Sequence, residues 1–164
     1  MDGLEIRPAV AGDLPAMNAI YNHYVAVSTA TYQTRPTTAR ERTTWFARHD
    51  GLQPVIVAVR DETVVGWGSL SLFHQREAYR NTVEDSIYVH HSQQRLGIGR
   101  ALLMELIQQA RLIGHHTIVG LIDQEQSASI VLHEQVGFTR VGHLHEVGYK
   151  FGRWLDVIYM QLML

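Results

Sequence analysis

The segment Ile87-Tyr88-Val89-His90-His91-Ser92-Gln93-Gln94-Arg95-Leu96-Gly97-Ile98-Gly99-Arg100-Ala101 constrains this chain more than any other stretch. A strand pattern ends, a polar loop with two glycines follows, and a long amphipathic helix starts at the second glycine. Glycine lets backbone approach a ligand closely and turn its N–H groups inward. A helix N-terminus adds about half a positive charge, so the turn suits a phosphate or pyrophosphate. Arg95 and Arg100 bracket it with two cations. The dinucleotide fingerprint is excluded because its third glycine and following acidic residue are missing. No Gly-Lys-Ser/Thr is present, which excludes a nucleotide-hydrolysing P-loop. A glycine-rich helix entry that binds nothing is the alternative the loop alone leaves open.

Around this turn the pattern predicts one mixed α/β domain over residues 1–164, with no repeat, linker or low-complexity stretch. Leu4 to Arg7 alternates and stops at Pro8, as a short edge strand does. Gly12-Asp13 followed by Leu14, Met17, Ile20, Tyr21 and Tyr24 reads as an N-capped amphipathic helix. Ser28 to Thr38 is a polar loop carrying Tyr32, and Ala39 to His49 a second helix anchored by Trp45 and Phe46. Val55 to Val59 and a strand from Thr63 to Phe73 flank the turn Arg60-Asp61-Glu62. A long strand is expected over Tyr79–Val89, a helix over Arg100–Ile113, a central strand over Thr117–Ile122 and a short helix over Ser127–Val136. Thr139–Val147 and Trp154–Met163 are the last strands. The order is β-α-α-β-β-β-α-β-α-β-β.

Composition removes several kinds of chemistry. With no cysteine there can be no disulfide, thiolate metal site, Fe–S cluster or Cys nucleophile. A formal charge of −2 argues against nucleic acid or an anionic membrane as partner. The start, Met1-Asp2-Gly3-Leu4-Glu5, has no secretion-signal pattern and the apolar runs are strand-sized, so a cytoplasmic location is expected. The ten histidines include His90-His91 and His115-His116, adjacent pairs that point to opposite strand faces. His143 and His145 share a face, but no third ligand stands at suitable spacing, and no metal is expected.

Gln94-Arg95-Leu96-Gly97-Ile98-Gly99 resembles the Gln/Arg-x-x-Gly-x-Gly/Ala signature of the GNAT acyltransferases, which binds the pyrophosphate of acetyl-CoA. A closer resemblance, over nearly the whole chain, is to the phosphinothricin/methionine sulfoximine N-acetyltransferase branch. It rests on Tyr21-Asn22-His23-Tyr24 with Ser28-Thr29, and on Thr82 to Val89 (Thr-Val-Glu-Asp-Ser-Ile-Tyr-Val). Ala128 to Glu134 before Gly137-Phe138, and Val147 to Val157, complete it.

The resemblance implies a GNAT fold: one mixed, mostly antiparallel sheet of about seven strands with about four helices, splayed between the fourth and fifth strands. It implies acetyl-CoA as cosubstrate and a small amino-acid-like acceptor; with no Cys and no obvious activated nucleophile for a covalent intermediate, direct transfer in a ternary complex is expected. Gln94, Arg95, Leu96, Gly97, Ile98, Gly99 and Arg100 would hold the pyrophosphate, and Ile87, Tyr88 and Val89 the pantetheine arm. Ser129, His133 and Gln126 would also meet the cofactor, Gln126 standing where the branch usually has Asn.

Spacing alone leaves Glu84 either a base or an ion-pair partner of Arg76 or Arg80, and the resemblance makes it the general base. The resemblance likewise gives His133 the role of protonating the thiolate. Tyr32, Arg76, Tyr79, Arg80 and Lys150, with Glu84, would form the acceptor pocket. Acetylation of a polyamine, an aminoglycoside or a protein N-terminus, or a non-catalytic CoA-binding module, are the other readings. The apolar, Trp-containing end of the chain predicts a homodimer through the last strands.

Overall fold

A computed structural model describes residues 3–164. Met1 and Asp2, which open the segment read as lacking a secretion signal, lie outside the described residues. The elements are β1 (Leu4–Pro8), α1 (Leu14–Val27), α2 (Ala39–Phe46), β2 (Val55–Arg60), β3 (Thr63–Leu72) and β4 (Thr82–Val89). They continue with α3 (Ile98–Ile113), β5 (Thr117–Asp123), α4 (Ser127–Gln135), β6 (Thr139–Lys150) and β7 (Arg153–Met163). One 7-stranded sheet runs β1-β2-β3-β4-β5-β7-β6, and β4–β5 is its parallel pair. The expected element order and mixed, mostly antiparallel sheet are therefore present.

Helix α3 lies on one face because its apolar residues recur every three to four positions. Leu102, Leu103, Leu106, Ile107 and Ala110 are buried against Ile56, Leu70, Val83, Ile118 and Met160. Burial of each such leucine contributes about 1.5–3 kcal/mol. Helices α1 and α2 cover the other face, where Met17, Ile20, Tyr24, Val57 and Trp67 form a second core. Within it the Arg42 guanidinium lies among the rings of Tyr21, Trp45 and Trp67, 4.7–5.1 Å from their centroids.

The departures from the sequence reading are local. The long strand expected from Tyr79 begins only at Thr82, because Glu77–Tyr79 turn as a 3-10 helix. The Asn81 carbonyl then accepts the His116 N–H (2.9 Å), tying that turn to the start of β5. Helix α2 stops at Phe46 instead of His49, as its end tightens into Arg48 N–H to Trp45 and His49 N–H to Phe46 carbonyl bonds. Asp13 does not cap α1 with its side chain. Its carboxylate accepts from Arg7 (2.7 and 2.9 Å) and from the Val10 N–H (2.8 Å).

Candidate active site

The sheet comes apart at its middle. β4 and β5 pair only over Thr82–Glu84 and Thr117–Val119, although both strands run on past that point. Beyond Glu84 the flank of β4 that faces β5 has no strand partner, while its other flank stays paired with β3 as far as Val89. A cavity of about 760 Å³ fills the gap, walled by Glu84–Val89 on one side and Gly120–Asp123 on the other.

The glycine turn closes one end of this cleft. Gly97 holds φ +80°, a left-handed conformation that suits glycine, and α3 begins at the next residue. No side chain caps the helix, and its first internal bond runs from the Ala101 N–H to the Gly97 carbonyl (3.0 Å). The N–H groups of Ile98, Gly99 and Arg100 thus precede any helical partner, and all three residues line the cleft. A Cβ at Gly99 would only touch Leu132 at an ordinary 3.4 Å, so packing within the chain does not demand glycine there. Arg95 and Arg100 line the same end, neither in an ion pair among the described residues. Gln94 also lines it, its amide donating to the Tyr24 hydroxyl (2.7 Å), which itself donates to the Val89 carbonyl. Leu96 is exposed and is not part of the lining.

Alternation along β4 separates its two acidic residues. Glu84, Ser86 and Tyr88 share the α1/α2 face, and Val83, Asp85 and Ile87 the α3/α4 face. Glu84 has no ion-pair or hydrogen-bond partner among the described residues, and Arg80 pairs with Glu77 instead (3.8 Å). Burial, helped by the adjacent Asp85 charge, pushes the Glu84 carboxyl up to about 7. Such a group takes up a proton at neutral pH.

Asp85 meets His133. The His133 Nε2 lies 3.1 Å from Asp85 Oδ2, and its Nδ1 2.7 Å from the Ser129 carbonyl one turn back in α4. Burial opposes charge on the ring, but the Asp85 carboxylate and the two hydrogen bonds outweigh it, and the pKa is raised. Gly120 on β5 makes room for the pair: a Cβ there would stand 3.2 Å from Asp85 Oδ1 and 3.3 Å from the imidazole. The ring borders the cleft, with both nitrogens already engaged.

The loop after α1 supplies the far wall. Tyr32 donates to Asp123 Oδ2 (2.6 Å) and to the Asp156 carbonyl (3.1 Å). Burial and the Asp123 bond push its phenol well above the usual range. Gly148 is required beneath it, since a Cβ would enter the Tyr32 ring. Thr29 donates to Asp123 Oδ1 (2.9 Å), and Gln126 donates its amide hydrogen to the Thr29 hydroxyl (3.0 Å). The Gln126 amide is thereby engaged with this loop. Ser129 lines the cleft from α4.

Other expected pocket residues lie elsewhere. Lys150 is buried and donates to the Ser28 and Thr31 carbonyls (2.7 Å each), so it pins the loop and is absent from the lining. Its charge is satisfied by backbone oxygens, which sequence spacing does not reveal. Arg76, Tyr79 and Arg80 sit on the exposed turn before β4, outside the lining, with Tyr79 packed on Phe73 and His74.

The third partner not found beside His143 and His145 exists across the hairpin. Both imidazoles reach Asp156 Oδ2, at 2.8 and 2.9 Å. Leu155, Val157, Ile158, Met160 and Leu162, read as apolar excess, are buried, while Val141, Leu144, Val147, Tyr149, Phe151 and Trp154 are exposed.

Sequence reading missed Asp85 and Asp123. Their signal was an acidic residue next to Glu84, and a second one ending an otherwise apolar strand.

Residues 17–138 match the profile of the acetyltransferase (GNAT) family. The chain is 40% identical over 162 residues to the L-methionine sulfoximine/L-methionine sulfone acetyltransferase of Salmonella typhimurium, covering 98% of this chain and 95% of that protein. It is 37% identical to the phosphinothricin N-acetyltransferase of Streptomyces viridochromogenes, covering 96% and 86%. An acetyltransferase structure from Salmonella typhimurium with acetyl-CoA superposes with TM-score 0.96 at 39% identity, over 99% of this chain and 95% of that one. The phosphinothricin acetyltransferase of Sinorhizobium meliloti with acetyl-CoA gives 0.95 at 36%, over 99% and 89%.

Proposed function

The chain belongs to the acetyltransferase (GNAT) family, and from that premise we propose that it acetylates the α-amine of a small amino acid with a second polar or anionic end. Methionine sulfoximine, methionine sulfone and phosphinothricin, named for its relatives, define the acceptor class. The observation that carries this reading is Glu84: a half-buried carboxylate with no partner among the described residues, its pKa pushed up to about 7 at the point where the sheet opens.

Acetyl-CoA supplies an acetyl thioester, activated for transfer to an amine. The cleft fits it through the uncapped α3 N-terminus with Arg95 and Arg100 for pyrophosphate, and the unpaired flank over Ile87, Tyr88 and Val89 for an extended arm. An N–H of that flank would polarise the thioester oxygen. Glu84 takes the ammonium proton, directly or through water, leaving the amine lone pair free to attack. His133, its pKa raised by Asp85, would return a proton to the departing sulfur by exchanging one of the bonds its ring makes with Asp85 and the Ser129 carbonyl. Tyr32 and the loop behind it wall the acceptor end, and Arg76 and Arg80, beside Tyr79, form an outer basic rim that draws anionic acceptors inward. Those cations disfavour polyamines and aminoglycosides.

The deciding experiment follows free-thiol release from acetyl-CoA with phosphinothricin, methionine sulfoximine, methionine sulfone, ordinary amino acids, spermidine and kanamycin. Release confined to the amino-acid-like compounds is expected. Release only with spermidine or kanamycin would overturn the acceptor class.

The reading extends to a cytoplasmic enzyme, able to protect a cell from a herbicide of the phosphinothricin type. The exposed apolar face of β6–β7 supports a homodimer, which light scattering at micromolar concentration would register as twice 18.6 kDa.

A further inference from the structure

A second cavity, of about 310 Å³, lies on the α1/α2 face of the sheet, with Arg42, Trp67, Ser69 and Ser71 on its walls. It shares Ser86 and Tyr88 with the main cleft. Arg42 is 4% exposed, yet among the described residues no carboxylate pairs with it. Its one side-chain hydrogen bond runs from Nε to Asn18 Oδ1 (3.2 Å), leaving both Nη atoms free of protein acceptors among the described residues. The other charged residue on the wall, Glu41, is held by Arg35 (2.7 Å) and by the Thr38 N–H (2.8 Å). Two further donors, Ser69 Oγ and Trp67 Nε1, are buried without partners among the described residues.

A buried guanidinium is costly unless an anion or a set of acceptors meets it. Three aromatic faces offset part of that cost by cation–π attraction but accept no hydrogen bond along the guanidinium plane. A planar or tetrahedral oxyanion would meet it, since an arginine fork grips such a group with two parallel bonds. Register joins this cavity to the chemistry. Ser71 pairs with Glu84 and Ser69 with Ser86 across β3 and β4, so these side chains share one face of the sheet. Glu84 and Ser86 stand about 7 Å apart along the strand, within the span of a small amino acid.

Resting on the acceptor class given above, we propose that Arg42 and Ser69 form the inner anchor for the anionic end of the acceptor. The carboxylate or phosphinate is gripped there while its amine reaches Glu84. The exposed Arg76 and Arg80 then act only in approach.

The test pairs binding with kinetics. Methylphosphonate titrated into wild type should quench or shift the fluorescence of Trp45 and Trp67 in a saturable way. Arg42→Lys keeps the charge and loses the fork, and Ser69→Ala is the milder variant. Arg42→Lys should weaken that titration and raise the acceptor KM by about tenfold to a hundredfold. The change in kcat should be smaller, and acetyl-CoA affinity by calorimetry and the unfolding midpoint should stay near wild type. Phosphinothricin, its α-carboxamide and methionine distinguish the two anionic ends: the analogue lacking the gripped group becomes indifferent to Arg42→Lys.

No saturable anion titration in wild type, or an acceptor KM that Arg42→Lys and Ser69→Ala leave unchanged, would overturn the anchor. Saturable anion binding through Arg42 with no amino acid acetylated would sink the acceptor class while upholding the anion site.

Discussion

Glu84 and Asp85 are neighbours with the same functional group, and the two faces of β4 treat them differently. On the α1/α2 face Glu84 meets no cation among the described residues, and burial with the next charge pushes it up to about 7. On the α3/α4 face Asp85, 7% exposed, meets His133 at 3.1 Å and shares a charge with it. Reactivity at this point arises from withholding a partner, and stability from supplying one. Pleat alternation achieves both within two residues, which keeps the unpaired carboxyl and its electrostatic neighbour in fixed relation.

The sharpest break in this comparison would come from Glu84→Gln. Turnover at pH 7 is expected to fall by about 10²–10⁴-fold, with acetyl-CoA affinity by calorimetry unchanged. The limb of the pH–rate profile near the Glu84 pKa should vanish with it. Unaltered turnover at every pH would remove Glu84 as base.

Next in size is Asp85→Ala, which leaves His133 buried without its counter-ion and should cost about 3–5 kcal/mol in urea unfolding. Replacing both residues by leucine should cost less than the single change. Because the folded pKa of His133 is raised, the pair's contribution is complete below about 6.5 and is lost as pH rises through the folded value. The Asp85→Ala penalty should therefore shrink in alkali. A constant penalty would mean that packing, and not charge, binds the two.

The smallest effect is the stability signature of Glu84 itself. Its folded pKa is also raised, so wild type should lose on the order of 2–3 kcal/mol between pH 4.5 and 8 on its account. Glu84→Gln should lack that loss. Parallel pH curves for the two proteins would show that Glu84 finds a partner after all.

How much of this was legible in the sequence follows from the range of each interaction. Helix α3 and the Gly97 turn are local patterns, and the order of elements along the chain follows from alternation and turn residues. Glu84 stood out as a carboxylate among strand residues. Asp85 did not, because its meaning depends on a histidine 48 residues away that reaches it only when α4 folds over β5. Lys150 belongs to the acceptor pocket in the sequence reading because spacing cannot show that Ser28 and Thr31 turn their carbonyls toward it. Arg42 was hidden for the opposite reason: in a helix that also holds Arg40 and Glu41 it passes for a solvated charge. Tyr21 and Trp67, which enclose it, come from other elements. The start of β4 was misjudged because Tyr79 favours strand, while the turn around it is fixed by Asn81 meeting β5.

The early end of the β4–β5 pairing has a mechanical side. The sheet amounts to a leaf of β1–β4 and a leaf of β5–β7, stitched edge to edge by three residue pairs from Thr82–Thr117 to Glu84–Val119. An extended ligand lying along the open seam would add rungs that the polypeptide omits. It would serve as a splint across the two leaves and stiffen the joint in proportion to its occupancy. A reactant would then double as a temporary strand, and each turnover would end with the molecule at its most pliable along that line.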